Sequence, residues 1–423
     1  MPTYPPSPPV PEPPASKASP SSSPAPEALS ARTPGDWWRG LPWDGEGWRA
    51  SSDPDLADLR EWSAASWRQK RPALLRLLLR LGDRTAHPLA ASAVCCRYAR
   101  RRGLGAGAAW RLYRDCIATG GTPLDVDLWR GLHGGRNPLP QRAASLLLAR
   151  LGDPAAHALL ADKMAAAARL TAAGAVFPAT PVVLPQGQGV DPDRLVPVAP
   201  ASAGLFLKPR HGHGGAGAFR LRHDCGGWQI DARPVDATAL AARLNRLLEA
   251  DDLLVQEHLA PCTALADLAT AGRAPVLRLA TARRPDEAPF LQSALLTVPV
   301  PDRHPRDFLH GGIQVPVDPA SGRLAAGILL GAPRRPIPRL PWNNARLAGR
   351  ILPGFEDAVA MALGAMTALP GLALVHWDLI PSTRGMVMLE GNTGGNWILA
   401  TLPGAFGLET ASLPPLLRAW LPT

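Results

Sequence analysis

The chain has 423 residues, a formal net charge of +10 and 46% hydrophobic residues, which is enough for two or three domains with their own cores. Five cysteines in that length cannot form a disulfide scaffold, and no glycine period indicates a fibrous repeat. No apolar run reaches the roughly 18 to 20 residues that a bilayer-spanning helix needs, and residues 1–9 lack the basic and apolar regions of a secretory signal. We therefore expect a cytoplasmic protein with reduced thiols and no membrane span.

The positive charge raises the question of nucleic-acid binding. Almost all of the 45 basic residues are Arg, and their excess over acidic residues lies in the first 150 positions. A preference for Arg throughout the chain indicates codon bias rather than a selected basic patch. The one short cluster, at Arg97, Arg100, Arg101 and Arg102, fits a solvated helix face, and no groove-reading motif accompanies it. We expect no nucleic-acid partner.

The N-terminal third divides into two segments. Residues 1–35 are dominated by Pro, Ser and Ala with little to bury, which predicts a disordered tail. Residues 36–152 show helical spacing of apolar residues, as at Leu74, Leu75, Leu78, Leu79 and Leu81, and predict an all-helical region. This region begins with a cluster of six tryptophans, at positions 37, 38, 43, 48, 62 and 67, which favours packing over ligand stacking. It is a candidate surface for a protein partner.

Residues 153–423 predict one α+β domain, because short apolar runs bounded by Gly and Pro alternate with helical patterns. The helices are expected over 236–250 and 356–369. The strands are expected at 181–184, 205–208, 218–221, 253–258 and 276–281, followed by a hairpin over 375–392.

A glycine-rich segment follows the second of these strands. Lys208 ends the strand, and Gly212, Gly214, Gly215 and Gly217 come before the next one. The spacing matches Gly-x-Gly-x-x-Gly, but a dinucleotide fold needs a helix there, and a Walker A loop needs Gly-Lys-Ser/Thr. A glycine hairpin over phosphates explains the pattern, since backbone N–H groups can approach phosphate oxygens and Lys208 adds a cation. The alternative is a plain glycine turn.

The C-terminal hairpin carries three oxygen-bearing side chains. Glu390 and Asn392 are two residues apart on one strand, so they share a face, while Gly391 faces away. With the turn near Arg384, Asp378 lies opposite Glu390 on the partner strand. Two carboxylates and an amide suit Mg²⁺, which prefers oxygen ligands together with waters and phosphates. The alternative is that these groups cap a loop or pair with arginines.

In this order the segments resemble the ATP-grasp superfamily, and most closely its sugar-transfer-associated branch. The parts that match are Asp162-Lys163 before a helix, the Phe206-Leu207-Lys208-Pro209 strand with its glycine loop, Val255-Gln256-Glu257, and finally Asp378 with Glu390-Gly391-Asn392. The resemblance covers roughly residues 159–417. It implies an ATP-grasp clamp, in which two α+β subdomains hold ATP between antiparallel sheets, with ATP and Mg²⁺ as cofactors.

The resemblance also implies roles for individual residues. Lys163 and Lys208 would contact ATP phosphates, while Gln256 and Glu257 would hold adenine and ribose. His213, Gly214, Gly215 and Gly217 would cover the phosphates. Asp378, Glu390 and Asn392 would bind magnesium, and Lys208 with Arg278 would act on the transferred phosphoryl group. The segment His310-Gly311-Gly312-Ile313 resembles a glycine motif of the branch.

The implied activity is an Mg-ATP-dependent ligation of a small-molecule carboxylate to an amine through an acyl-phosphate, with polysaccharide or cell-surface glycan biosynthesis as the pathway. No Gly-x-Ser-x-Gly elbow, cysteine nucleophile motif or zinc spacing supports another chemistry. Two alternatives stay open. One is an ATP-grasp kinase that phosphorylates a hydroxyl, and the other is a non-catalytic nucleotide-binding adaptor.

Overall fold

The computed structural model describes residues 72–119, 122–123, 126, 147–148, 151–199, 204–212, 215–270, 272–301, 312–329, 336–393 and 413–421. The predicted tail, the tryptophan cluster, His213, Gly214, His310 and Gly311 lie outside the described residues. Among the described residues, no helix is both long and apolar enough to cross a bilayer.

Two helices make up most of the described part of the N-terminal region. Helix α1 spans Ala73–Arg102 and helix α2 spans Ala106–Thr119. Gly103 ends α1 with a φ of 63°, a left-handed conformation that glycine adopts without strain. The helices pack through an apolar contact of Ala91 and Val94 with Tyr113 and Ile117. The helical prediction is confirmed over these residues.

Two short helices connect this region to the sheets. Helix α3 spans Pro154–Ala161 and helix α4 spans Lys163–Thr171. Asp153 caps α3 by accepting from the N–H of Ala155, and Asp162 caps α4 in the same way. Asp162 is also the C-cap residue of α3, so it ends that helix and begins the next, which places Lys163 at the head of α4.

The first sheet has six strands, all paired antiparallel, in the order β1-β6-β2-β3-β4-β5. Its strands are β1 Val182–Leu184, β2 Leu205–Pro209, β3 Phe219–Asp224, β4 Gly227–Ile230, β5 Arg233–Val235 and β6 Leu253–Glu257. Helix α5, Ala237–Leu248, packs Leu240, Leu244 and Leu248 on one face of this sheet, because leucines four residues apart share a helix face.

The second sheet also has six antiparallel strands, in the order β10-β9-β8-β7-β11-β12. Its strands are β7 Val276–Ala282, β8 Phe290–Pro299, β9 Gly312–Val317, β10 Ile328–Leu329, β11 Leu374–Ser382 and β12 Gly385–Asn392. Helix α6, Phe355–Thr367, and helices α3 and α4 cover one face and share its apolar core. A last short helix, α7, spans Leu413–Arg418.

The fold class predicted from the sequence is confirmed: the chain is α+β with two antiparallel sheets. The five predicted strands and two predicted helices each occur, with bounds shifted by at most a few residues. The glycine segment lies between β2 and β3, which pair as neighbours. A strand therefore follows the glycines, as expected, and not the helix of a dinucleotide fold.

Candidate active site

The C-terminal hairpin has the register that the sequence predicted. Asp378 on β11 pairs with Glu390 on β12, His376 pairs with Asn392, and residues 383–384 form the turn. A bulge follows Asp378, where the register shifts by one residue. The carboxylates of Asp378 and Glu390 and the amide of Asn392 consequently share one face of the second sheet.

Gly391 lies between Glu390 and Asn392 and faces the other side of the hairpin, against Trp377. A Cβ at Gly391 would lie 2.5 Å from Cζ3 of Trp377, which is fully buried on the opposite face of the hairpin. The indole Nε1 donates to the hydroxyl of Thr281 at 2.7 Å, so the ring has little freedom to move. Only glycine fits between Glu390 and Asn392 at this close approach.

Arg278 lies on β7, directly opposite Asp378. Its Nε and one terminal nitrogen each donate to an oxygen of Asp378 at 2.7 Å, which is the two-pronged geometry of the strongest Arg–carboxylate pairs. The two side chains are only 12% and 10% exposed. Burial raises the pKa of Asp378, and the charge of Arg278 opposes that effect.

The three predicted magnesium ligands lie within contact of one another. Asn392 Nδ2 is 3.2 Å from an oxygen of Glu390 and 3.5 Å from an oxygen of Asp378. In the described residues, no group of three or more His, Cys, Asp or Glu side chains could hold a metal ion by itself. Two carboxylates with one amide are nevertheless a hard-oxygen donor set that fits Mg²⁺, whose other ligands are commonly waters and phosphates.

Lys208, at the end of β2, reaches from the first sheet to the second. Its ammonium donates to the carbonyl oxygen of Leu389 at 3.2 Å, and the residue is 7% exposed. Burial lowers its pKa to about 8, while the carboxylates of Glu390 and Asp378 favour the charged form. A nearly buried ammonium beside the hairpin is a ready partner for an anion.

Lys163 approaches Glu390 from α4. Its Nζ lies 3.8 Å from a Glu390 oxygen and donates to the carbonyl oxygens of Arg210, at 3.3 Å, and of Gly212. Burial lowers the pKa of Lys163, and the charge of Glu390 opposes the shift. Both predicted phosphate lysines thus meet at β12.

The glycine loop follows β2, and the carbonyl oxygen of its first glycine, Gly212, accepts from the ammonium of Lys163. Gly215 and Gly217 have φ values of +70° and +76°. A Cβ at Gly217 would lie 2.9 Å from the ring of Pro209, so both conformation and space require glycine there. The two remaining predicted loop contacts, His213 and Gly214, are outside the described part of the chain.

The predicted adenine and ribose contacts lie on β6, the neighbour of β2. Leu254 pairs with Lys208 and Gln256 with Phe206, so Gln256 shares the sheet face of Lys208. Gln256 donates to Thr180 Oγ1 at 3.0 Å. Glu257 points to the other face, where one oxygen accepts from the N–H of Ala179 at 2.8 Å and from Arg384.

Three contributors to the site were not predicted from the sequence. Arg210 pairs with Asp162, and Arg384 pairs with Glu257. His376 is buried beside Arg278, and burial together with that charge lowers its pKa to about 3, so it is neutral. The sequence offers a weak signal for Arg210 alone, which directly follows the Lys208-Pro209 pair.

Lys208 from the first sheet and Lys163 from the head of α4 approach paired carboxylates on the second sheet, as the resemblance to ATP-grasp proteins implies. A sequence model of the sugar-transfer associated ATP-grasp family matches residues 142–411, which is more than half of the chain. The chain belongs to that family. The resemblance inferred from the motifs is thereby confirmed.

Solved ATP-grasp ligases resemble the chain at low identity. The VanG D-Ala:D-Ser ligase from Enterococcus faecalis is 14% identical over 64% of each chain, with a TM-score of 0.39. The D-alanine–D-alanine ligase from Bacillus anthracis with ATP is 12% identical over 58% of each chain, with a TM-score of 0.33. N5-carboxyaminoimidazole synthetase from Staphylococcus aureus with ADP is 10% identical over 60% of this chain and 50% of its own, with a TM-score of 0.35.

The chain spans less than two thirds of the length of the solved ligases it matches first. No curated protein matches it in a sequence comparison.

Proposed function

We propose that the chain is an Mg-ATP-dependent ligase that joins a small-molecule carboxylate to an amine through an acyl-phosphate. The observation that carries the proposal is that Lys163 approaches Glu390 and Lys208 donates to the adjacent carbonyl of Leu389, beside the Asp378–Arg278 pair. One cation from the first sheet and one from the head of α4 face the carboxylates of the second sheet, and together they form a site for a metal-bound polyphosphate.

Lys163 and Lys208 neutralise the phosphate oxygens of bound ATP in this proposal. The glycine loop adds backbone N–H groups, and positive φ at Gly215 and Gly217 lets those groups converge on an anion. Gln256 would contact the adenine along β6, on the sheet face of Lys208, whereas Glu257 points to the other face and is paired with Ala179 and Arg384. Fixed charges and dipoles of this kind stabilise a phosphoryl-transfer transition state without any nucleophile from the protein.

Asp378, Glu390 and Asn392 would hold Mg²⁺, with Asn392 contributing its amide oxygen, and the closeness of the three side chains on one sheet face supports this assignment. A bound magnesium ion supplies charge that offsets the negative oxygens of the phosphates. Arg278 orients the carboxylate of Asp378 through its two hydrogen bonds, and its charge opposes the rise in the pKa of Asp378 that burial causes. Its guanidinium also lies where an acyl-phosphate next to Asp378 would need a cation.

The chemistry balances in two steps. A carboxylate oxygen of the first substrate attacks the γ-phosphorus, and ADP leaves. The amine of the second substrate then attacks the acyl carbon, so that a C–N bond forms, inorganic phosphate leaves and the amine releases a proton. The family's association with sugar transfer supports surface-polysaccharide assembly in the cytoplasm as the setting.

Product analysis tests the proposal. The purified protein is incubated with Mg-ATP and pools of carboxylates and amines, including amino acids and sugar acids, and ADP, phosphate and organic products are separated. We expect ADP and free phosphate in equal amounts with an amide. A phosphoester without free phosphate would make the protein a kinase, and ATP binding without turnover under every pool would make it an adaptor.

A further inference from the structure

Arg210 joins three segments that the sequence keeps far apart. Its Nε and one terminal nitrogen donate to the two oxygens of Asp162 at 2.8 and 2.6 Å. Its other terminal nitrogen donates to Asp252 at 3.1 Å, and its backbone N–H donates to the carbonyl oxygen of Asp252 at 2.9 Å. The head of α4, the base of the glycine loop and the start of β6 are therefore held by one side chain.

Asp162 links this bridge to Lys163. One Asp162 oxygen accepts from the backbone N–H groups of Met164 and Ala165 at 3.0 and 3.2 Å, while the same carboxylate accepts from Arg210. The hydrogen bonds from Arg210 hold the pKa of Asp162 down at about 2, so the carboxylate is ionised at neutral pH. The carboxylate that begins α4 is thus fixed to the residue that begins the glycine loop.

Lys163 closes the connection from the other direction. Its backbone N–H and its ammonium both donate to the carbonyl oxygen of Arg210 at 3.3 Å, and the ammonium also donates to Gly212. Movement of Arg210 would therefore displace the Lys163 ammonium and the first glycine of the loop together.

The bridge is too exposed to contribute much to stability. The side chains of Arg210, Asp162 and Asp252 are 32%, 19% and 25% exposed, and ion pairs that water reaches contribute little to the free energy of unfolding. Its geometry is nevertheless fixed by six hydrogen bonds, four donated by Arg210 and two accepted by Asp162 from backbone N–H groups. A bridge whose geometry is fixed but which adds little to the free energy of unfolding is suited to positioning neighbouring groups.

We propose that Arg210 is a positioning residue that holds Lys163 and the glycine loop as one phosphate-binding unit. Arg210 acts on the phosphates through Lys163 and the loop and does not touch them itself. The inference rests on the proposed function, since it requires that this unit receives the phosphates of a nucleotide.

The test compares the affinities of the full chain for Mg-ATP and for adenosine. We expect Arg210→Met to weaken Mg-ATP binding about tenfold, because one phosphate contact is lost, and to leave adenosine binding unchanged. Equal Mg-ATP affinity in wild type and Arg210→Met would overturn the inference. Equal losses for Mg-ATP and adenosine would also overturn it, because they would indicate general loosening of the fold.

A second variant gives the same answer without altering Arg210. Asp162→Ser provides a hydroxyl that can cap α4 but removes the carboxylate to which Arg210 donates its hydrogen bonds. We expect the same phosphate-specific loss, and no further loss in the double variant, because both changes break one connection. Additive losses would contradict the proposal.

Arg350→Met is the matched control. Arg350 also makes a two-pronged pair, with Asp267 at 2.9 Å for both bonds, outside the candidate site. The Mg-ATP affinity of the Arg350→Met variant is expected to equal that of wild type. If wild type itself fails to bind Mg-ATP, the proposed function fails; if wild type binds and Arg210→Met binds equally, only the positioning role fails.

Discussion

Lys208 is an ammonium held almost out of water at the junction of two sheets. Burial lowers its pKa from 10.5 to about 8. Between these two values the unfolded chain binds a proton that the folded chain does not, so the Lys208 contribution to the free energy of unfolding rises with pH. Below about pH 8 both states hold the proton, and the folded state bears the full cost of the buried charge.

Lys208→Met tests this linkage. We measure the difference between the thermal midpoints of wild type and Lys208→Met. We expect this difference to shift in favour of wild type as the pH rises from about 8 toward 10. The difference should be constant below pH 7. A difference that stays flat across the whole range would mean that Lys208 titrates normally.

Glu390 is the carboxylate whose charge acts most strongly on both lysines. Glu390→Gln keeps the shape of the side chain but removes the charge that the metal and the lysines require. We expect magnesium-dependent ATP turnover to fall by about a hundredfold or more, with a cooperative thermal transition retained. The same loss is expected for Asn392→Ala.

Glu356→Gln provides the comparison for that measurement. Glu356 is exposed in the first turn of α6 and has no part in the candidate site. The magnesium-dependent ATP turnover of the Glu356→Gln variant should match that of wild type. Full turnover in Glu390→Gln or Asn392→Ala would remove that residue from the metal site.

At the scale of single elements, β12 is held between the site and the core by its glycine. Gly391→Ala would bring a methyl group to 2.5 Å from the indole of Trp377. Overpacking of this kind costs about 1 to 3 kcal/mol and shifts the backbone that carries Glu390 and Asn392. We expect a lower denaturation midpoint together with weaker Mg-ATP binding.

Gly189→Ala is the control for this substitution. Gly189 has no heavy atom within 4 Å of an added Cβ and no positive φ, so its denaturation midpoint should be unchanged or slightly raised. Unchanged stability in Gly391→Ala would show that the hairpin can move away from Trp377 without cost.

The hairpin is also the element that the sequence predicted best. The turn residues and the two-residue spacing of Glu390 and Asn392 determine which side chains share a face, so Asp378 could be placed opposite Glu390. The Arg210–Asp162 and Arg384–Glu257 pairs could not be foreseen, because 48 and 127 residues separate their members. The contact of Lys208 with a backbone carbonyl could not be predicted either, because every residue has a backbone carbonyl whatever its side chain.

For the whole molecule, the α+β class and the strand bounds followed from local patterns, because Gly and Pro mark the ends of short apolar strands. The strand order did not. Strand β6 lies between β1 and β2, and β7 lies between β8 and β11, which depends on pairings between segments far apart in the chain. The family resemblance supplied the two-sheet arrangement that periodicity alone could not.

A ligand that binds only the native chain must raise its thermal midpoint. At a hundredfold excess over Kd, the free energy of unfolding rises by about 2.7 kcal/mol. We expect Mg-ATP to raise the midpoint by several degrees, and ATP with EDTA to raise it far less. No shift at millimolar Mg-ATP would contradict the nucleotide site.

The turn of the C-terminal hairpin is bonded to the segment that leaves β6. Cys262 donates to the carbonyl oxygen of Pro381 at 2.8 Å, Thr383 donates to that of Ala260 at 3.2 Å, and Arg384 pairs with Glu257. These bonds fix a pivot between the two sheets at one end of the cleft. Lys208 lies on β2 opposite Leu254, three residues before Glu257, and Leu389 lies on β12, five residues after Arg384. Both are therefore about 10 to 16 Å from the pivot. A rotation of only about 10° there would separate them by about 2 Å and break their hydrogen bond, so a small change of angle is enough to open the cleft at its phosphate end.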